Sequence, residues 1–320
     1  MKITVLGSGR WGTFQAWYAA RCGHDVLLWG RPGDPDIEEL IANRRNSYLE
    51  LPSGLNLTTD LDRAIGHGEL IIISISSQAL RSFSGGLNKY DLSEKSFLLC
   101  MKGLEQDTGK RLSTVIKESI EGPVRVAVLS GPGHVQSYTA GIPGAMVVDS
   151  DDEELTRYII DALGSDLIRL YIGNDLIGTE IGAAAKNVIG LAAGMLDGFG
   201  YTSLKGALMA RGAREVARLI KAMGGNELSA YGLCHLGDYE ATLFSPYSQN
   251  RMFGETYVKK EDYTKLAEGV YTVKAMVRLS DELGVDLPIS RAVLNTVHNG
   301  ADPKKELTEM FLRSVKPEFD

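Results

Sequence analysis

The chain has 320 residues, more than one ordinary hydrophobic core accommodates and enough for two domains. Hydrophobic residues make up 44% and charged residues 23%, which excludes the disordered and fibrous classes. A formal net charge of −7, from 34 basic against 41 acidic side chains, excludes the basic face that binding along a nucleic-acid backbone requires.

The first strand signal is residues 3–6. It opens the chain where a signal peptide would show a basic and then an apolar region, so a cytoplasmic protein is expected. Gly7-Ser8-Gly9-Arg10-Trp11-Gly12 follows at once, a GxGxxG between that strand and a helix predicted over 11–22. In such a turn the first glycine permits the bend and the second admits a pyrophosphate to the backbone. The third lets helix and strand pack closely, and the helix N–H groups meet the phosphates. Gly7, Ser8, Gly9, Arg10, Trp11 and Gly12 are therefore candidate contacts of a dinucleotide. A second strand over 26–29 ends at Gly30-Arg31, where an NAD-selective site would carry Asp or Glu. Arg31 can pair with a 2′-phosphate, which permits NADP; stacked on adenine instead, it would tolerate either NAD or NADP.

Strands over 70–75, 96–101, 124–129 and 145–148 alternate with amphipathic stretches over 108–119 and 152–163, and 167–171 is expected to close the set. Continuous apolar runs such as Leu70-Ile71-Ile72-Ile73 are those of strands buried on both faces. The alternation predicts an α/β fold: an N-terminal Rossmann-type, doubly wound, mostly parallel sheet over residues 1–175. Lys102 and Gly103 end one strand, and Gly131-Pro132-Gly133-His134 end the next, at the carboxyl edge where such sheets bind ligands. Gly103 is expected to leave room for the ligand. Lys102 is a candidate there, against the alternative of a surface lysine. His134 is a candidate proton donor, although a lone loop histidine is as a rule solvated.

Beyond residue 175 the texture changes to long runs rich in Ala, Gly, Leu and Met, over 176–196, 204–223, 263–283 and 290–299. An all-helical substrate-binding and catalytic domain over 176–320 is expected. Its most apolar stretch, 181–195, is interrupted by Lys186 and Asn187 and is too short for the ~18–20 residues of a bilayer span, so no membrane span is predicted. Within Gly182-Ala183-Ala184-Ala185-Lys186-Asn187-Val188-Ile189-Gly190 the lysine and asparagine sit among residues too small and apolar to face solvent. Burial lowers a lysine's pKa toward the range useful for proton transfer; the alternative is a lysine snorkelling from a packed helix. Gly182, Gly190 and Gly194 are expected to let this helix approach the other domain closely. Asp238 is a candidate partner for Lys186, and Thr242 shares its face if that segment is helical. Ser248-Gln249-Asn250-Arg251 reads as a polar helix start suited to an anion, or as ordinary capping by Ser248. Cys22, Cys100 and Cys234 are an odd number and widely spaced, so neither a disulfide framework nor a metal site is expected.

Taken together, GSGRWG at 7–12, WGR at 29–31, MKGLE at 101–105, LSGPG at 129–133, IGAAAKNVIGLAAGMLDGFG at 181–200, GLCHLGD at 232–238, SQNRMFG at 248–254 and AEGVYT at 267–272 resemble the bacterial NAD(P)-dependent glycerol-3-phosphate dehydrogenase family. The resemblance covers nearly the whole chain. It implies a homodimeric oxidoreductase that interconverts dihydroxyacetone phosphate and glycerol 3-phosphate. By position, Lys186 resembles the catalytic acid/base, with Asp238 beside it, and Lys102 the lysine shared by cofactor and substrate. Gly131, Gly133, Asn187, Thr242, Ser248, Gln249 and Asn250 fall at substrate positions, with Arg251 a further candidate for the distal group. Val135, Gln249 and Glu268 fall at cofactor positions.

Three departures accompany the match. The family's phosphate-gripping motif reads Ser-Arg-Asn-Arg, and here neutral Gln249 stands at the first arginine. The loop Gly-Pro-Ser-Phe-Ala reads Gly131-Pro132-Gly133-His134-Val135, and a glutamate usual soon afterwards is Ser137. These changes predict altered substrate recognition. The leading reading is reduction of dihydroxyacetone phosphate. The alternatives are another phosphorylated or phosphonate carbonyl substrate, or a nucleotide-sensing protein without turnover.

Overall fold

Side chains of Leu70, Ile71, Ile72 and Ile73 are all fully buried, as helices on both faces of a parallel sheet require. They form β4 (Leu70–Ile73), which pairs in parallel with β1 (Lys2–Leu6) and β5 (Ser96–Leu99). The computed structural model describes residues 1–312, 314, 317 and 318. The remaining residues of the expected 176–320 domain lie outside the described set. With β2 (Asp25–Trp29), β3 (Asn56–Thr58), β6 (Arg125–Ser130), β7 (Gly144–Asp149) and β8 (Ile168–Ile172), the sheet runs β3-β2-β1-β4-β5-β6-β7-β8. Only β6 and β7 pair antiparallel.

Seven helices belong to this sheet: α1 (Arg10–Arg21), α2 (Pro35–Asn43), α3 (Leu61–His67), α4 (Leu80–Gly85), α5 (Leu112–Ser119), α6 (Val135–Thr139) and α7 (Glu153–Leu163). Two apolar clusters result, one around Phe14, Leu40 and Val148 and the other around Leu27, Ile71 and Ile116. Strand order reverses between β1 and β4, and a doubly wound sheet opens its ligand crevice at the carboxyl ends beside that reversal. The N-terminal part is thus a Rossmann-like sheet and the C-terminal part is helical.

The expected strands over 70–75 and 96–101 stop two residues early. Ser74, Ile75, Cys100 and Met101 lie past the strand ends and line the crevice. β3, α2, α3, α4 and α6 are additional to the expected elements; they are short, and β3 exposes Asn56.

The helical part is built on α8 (Leu176–Gly198), around which pack α9 (Lys205–Ala222), α10 (Gln249–Lys259), α11 (Gly269–Leu283), α12 (Pro288–Asn299) and α13 (Pro303–Phe311). Residues 181–191 of α8 are buried without interruption. The glycines of α8 do not serve an approach to the sheet, contrary to expectation. A Cβ on Gly194 would stand 1.9 Å from the Arg251 carbonyl oxygen, and one on Gly254 would stand 2.1 Å from that of Leu191. α8 and α10 therefore touch backbone to backbone, and Gly190 faces Thr242 and Asn250. α11 begins at Gly269 rather than near 263, because Lys260 closes α10 in a left-handed conformation and a turn follows. No helix among the described residues is long and apolar enough to cross a membrane.

Candidate active site

A cleft of about 860 Å³ opens where the carboxyl ends of β1, β4 and β5 meet α8 and the N-terminus of α10. At its sheet end, Gly7 adopts φ +115°, which only glycine does without strain. A Cβ on Gly12 would stand 1.9 Å from the Gly7 carbonyl oxygen, so α1 lies tight on β1. At Gly9, by contrast, the nearest atom to an added Cβ is Asp36 Oδ2 at 3.7 Å, and the backbone is open to the cleft. No side chain caps α1 and no acid lies in its first turn, so its N–H groups and positive end are free for an anion. Trp11 Nε1 is buried without a partner. An open glycine turn, an uncapped helix start and an orphaned donor fit a dinucleotide. Ser8, Arg10, Trp11 and Arg31 line the same space. Arg31 is exposed, and its side chain has no hydrogen bond or ion pair among the described residues. Asp34 and Asp36 stand nearby, and burial raises the Asp36 pKa.

At the other end Lys186 lies 7% exposed on α8. Its Nζ donates to Asp238 Oδ2 at 2.6 Å and to Thr242 Oγ1 at 2.8 Å. Lys102 Nζ donates to the same Asp238 oxygen at 2.7 Å and to the Gly131 carbonyl at 2.7 Å. Burial pulls the Lys186 pKa down to about 8; Asp238 opposes the shift and Lys102 adds to it. Asp238 ends a tight turn over Leu236–Asp238, and Thr242 sits in a wide π-type turn over Glu240–Phe244. The segment is therefore not a regular α-helix, yet both side chains reach Lys186. Behind them His235 is fully buried and its pKa is pushed down to about 4 by burial. Nδ1 must carry its proton, since the Gly182 carbonyl 2.8 Å away can only accept, and Nε2 then accepts from Tyr239 Oη at 2.6 Å.

A polar chain ties the two parts together across this point. Asn187 Nδ2 donates to the Lys102 carbonyl at 2.8 Å, Asn250 Nδ2 donates to Asn187 Oδ1 at 3.0 Å, and Gly269 N donates to Asn250 Oδ1 at 2.9 Å. Glu268 lines the cleft and accepts from Ser77 N at 3.1 Å and from Ser77 Oγ; burial raises its pKa. Ser248 caps α10 through Arg251 N, and Gln249 accepts from Tyr263 Oη at 2.6 Å. Val135, Gly133 and His134 also line the cleft.

Five sequence expectations change. Arg251 does not face the cleft: its guanidinium binds Asp197 at 2.6 Å and Glu255 at 2.9 Å. Gly131 lies behind the lining, against Met146, and offers its carbonyl to Lys102. The space at Gly103 is filled by Ser77, whose Oγ would be 2.7 Å from an added Cβ. Gly133 is explained by packing rather than by a ligand. An added Cβ would stand 2.3 Å from the Tyr138 ring, which stacks on Phe14 with centroids 5.2 Å apart. Ser137 is part of α6 and outside the lining.

Several residues at or around the site escaped the sequence reading. Asp36 follows the second strand within Asp34-Pro35-Asp36, a helix-start pattern that marks its position. Glu180 is buried at the start of α8, where it binds Arg111 at 2.7 Å and Ser113 N at 2.8 Å, fixing α8 on α5. A glutamate inside so apolar a helix was the available signal.

Known proteins resemble this chain over its whole length. The family model described as the NAD-dependent glycerol-3-phosphate dehydrogenase N-terminus matches residues 2–156, and the model of the C-terminus matches residues 175–308. A glycerol-3-phosphate dehydrogenase [NAD(P)+] of Thermoanaerobacter sp. (strain X514) is 36% identical over 332 residues, covering 100% of this chain and 99% of its own. That of Prosthecochloris aestuarii is 35% identical over 334 residues, with full coverage of both chains. The crystal structure of glycerol-3-phosphate dehydrogenase from Coxiella burnetii superposes with a TM-score of 0.89 at 27% identity, covering 97% of this chain and 98% of that one.

Proposed function

This chain belongs to the NAD-dependent glycerol-3-phosphate dehydrogenase family, an NAD(P)-dependent group acting on CH–OH, and from that premise we propose that it interconverts dihydroxyacetone phosphate and sn-glycerol 3-phosphate. The observation that carries this reading is the buried Lys186 ammonium, held at the cleft by Asp238 and Thr242 with its pKa brought down to about 8. A general acid–base works best when its pKa lies near the working pH.

Gly7–Gly12 would hold NAD or NADP, which would supply or accept the hydride when bound, while the chain supplies position and a proton. In reduction, Lys186 Nζ gives its proton to the substrate oxygen that gains negative charge. In oxidation, the neutral amine takes that proton back. Asp238 and Thr242 fix Nζ, so the lysine loses no rotamer freedom at the moment of transfer. Lys102 places a second positive charge beside the same oxygen and stabilises the developing alkoxide. Asn187 has given one N–H to Lys102 and its oxygen to Asn250, so its role is to hold Lys102 in place. Arg31, free on the exposed rim, takes a 2′-phosphate or the adenine face, consistent with either cofactor.

A second reading keeps the chemistry and changes the substrate to another phosphorylated or phosphonate carbonyl compound. It is favoured by one observation: at the start of α10, Gln249 is neutral and Arg251 is neutralised by Asp197 and Glu255. The two readings separate in one assay of NADH and NADPH oxidation with dihydroxyacetone phosphate and with larger analogues. Efficient turnover of dihydroxyacetone phosphate supports the first reading; feeble turnover beside an efficient analogue overturns it.

A further inference from the structure

A phosphate-bearing ligand needs a cation, and the cleft is short of free ones. Among the described residues four cationic side chains line it: Arg10, Arg31, Lys102 and Lys186. Both lysines are committed to Asp238, and Arg31 stands exposed beside Asp34 and Asp36. Arg10 remains. Its guanidinium is half-buried and has no carboxylate partner: Nη2 donates to Gln136 Oε1 at 2.8 Å and Nη1 to the Tyr247 carbonyl at 3.3 Å, with the Tyr48 ring 5.3 Å from its centre. Burial lowers its pKa, opposed by Tyr48 and Tyr247. A half-buried charge held only by neutral acceptors is stabilised by an anion. A guanidinium has five N–H donors, so two bonds leave several for a ligand.

The position of Arg10 is equally specific. It reaches from the glycine turn of the sheet to the segment that starts α10. Gln249 Nε2 donates to the same Tyr247 carbonyl, at 3.3 Å, so the neutral amide and the guanidinium are neighbours. His134 packs edge-on against the Tyr247 ring with centroids 5.7 Å apart, and its Nε2 is buried without a partner among the described residues.

We propose that Arg10 is the cation that grips a phosphate group at the junction of the two parts, doing there what Gln249 cannot. The inference rests on the reading of the cleft as a site for a phosphorylated substrate and a dinucleotide. Two phosphates meet this description: that of the substrate and the pyrophosphate of the cofactor. The charge-assisted bonds of one arginine are worth about ten- to a hundredfold in affinity.

The test compares wild type, Arg10→Gln, Arg10→Lys and the double variant Arg10→Gln/Gln249→Arg, with affinities for NADH and for dihydroxyacetone phosphate measured by calorimetry beside kcat. Calorimetry reads Arg10 whether or not dihydroxyacetone phosphate is turned over. Absent turnover in wild type therefore counts against the substrate reading and leaves this inference to the affinities. The expected result for Arg10→Gln is a loss of about tenfold or more in affinity for one ligand, with a smaller loss for Arg10→Lys and recovery in the double variant. A loss confined to dihydroxyacetone phosphate assigns the substrate phosphate; a loss confined to NADH assigns the pyrophosphate. Affinities for both ligands within about twofold of wild type in Arg10→Gln would overturn the proposal. Should Arg10→Gln unfold, Arg10→Lys decides by the same criterion, since it keeps the charge and loses the fork.

Discussion

Lys102 and Lys186, one from the sheet and one from α8, donate to the same carboxylate oxygen, Asp238 Oδ2, at 2.7 and 2.6 Å. One acid thus serves two ammonium groups, and the pair carries an excess positive charge into a buried cleft. That excess suits an oxygen that becomes negative during reduction; burial keeps the Lys186 pKa low, with Asp238 opposing the shift and Lys102 adding to it.

A pH dependence follows directly. With the Lys186 pKa at about 8, its ammonium form is lost as pH rises through that value. The rate of reduction is expected to fall above about pH 8, and the rate of oxidation to rise through the same point. Stability has its own sign. Between about 8 and the ordinary lysine value of 10.5 the unfolded chain holds a proton that the folded chain has released, so this lysine makes stability rise with pH in that window. Single-turnover rates in both directions and urea unfolding across the window check the two halves. A flat profile for both would remove Lys186 from proton transfer.

Asp238→Asn removes the shared counter-charge and leaves two buried ammonium groups facing each other. The expected cost is about 3–5 kcal/mol of stability, the usual penalty for breaking a buried ion pair. The midpoint of the reduction profile should also move to more acidic pH, because the negative charge that raised the Lys186 pKa is gone. Thermal unfolding and the pH profile measure these separately.

Gly133 offers a sharper test of how the loop should be read. Placing serine there puts a side chain at φ +148° and a Cβ 2.3 Å from the Tyr138 ring. Gly133→Ser should cost about 1–3 kcal/mol from backbone strain, with the clash in addition. Affinity for dihydroxyacetone phosphate should not improve. Adding Tyr138→Ala should relieve the clash while keeping the strain. A gain in substrate affinity from Gly133→Ser alone would show that the glycine belongs to substrate recognition after all.

Glu215 on α9 is fully buried and caps α12, accepting from Ile289 N at 2.7 Å and from Ser290 N and Oγ at 2.9 and 2.6 Å. Glu215→Ala strands these donors and should lower stability by about 3 kcal/mol, with little change in kcat because the residue does not line the cleft. Thermal melting beside turnover checks it.

The sheet was legible in the sequence because buried parallel strands are written as unbroken runs such as 70–73, and the glycine turn because strand, Gly7-Ser8-Gly9 and helix are contiguous. Lys186 stood out because no neighbour in α8 faces solvent. What the sequence concealed was relational. Nothing in the spacing of Arg251 shows that Asp197, some fifty positions earlier, neutralises it, or that the glycines of α8 meet α10 and not the sheet. Gly133 read as a lost serine because Tyr138, which fills its space, is tied to it only by the fold. Arg10 was legible as a position within the glycine turn, but only the fold shows that its guanidinium is held by neutral acceptors.

The central claim is that Lys186 transfers the proton during reduction. Single-turnover oxidation of NADH by dihydroxyacetone phosphate, compared between wild type and Lys186→Met with NADH affinity measured in parallel, tests it most directly. The variant is expected to bind NADH as wild type does and to lose about 10²- to 10⁴-fold in rate, the usual contribution of a general acid. A rate within a few-fold of wild type, at unchanged NADH affinity, would contradict it.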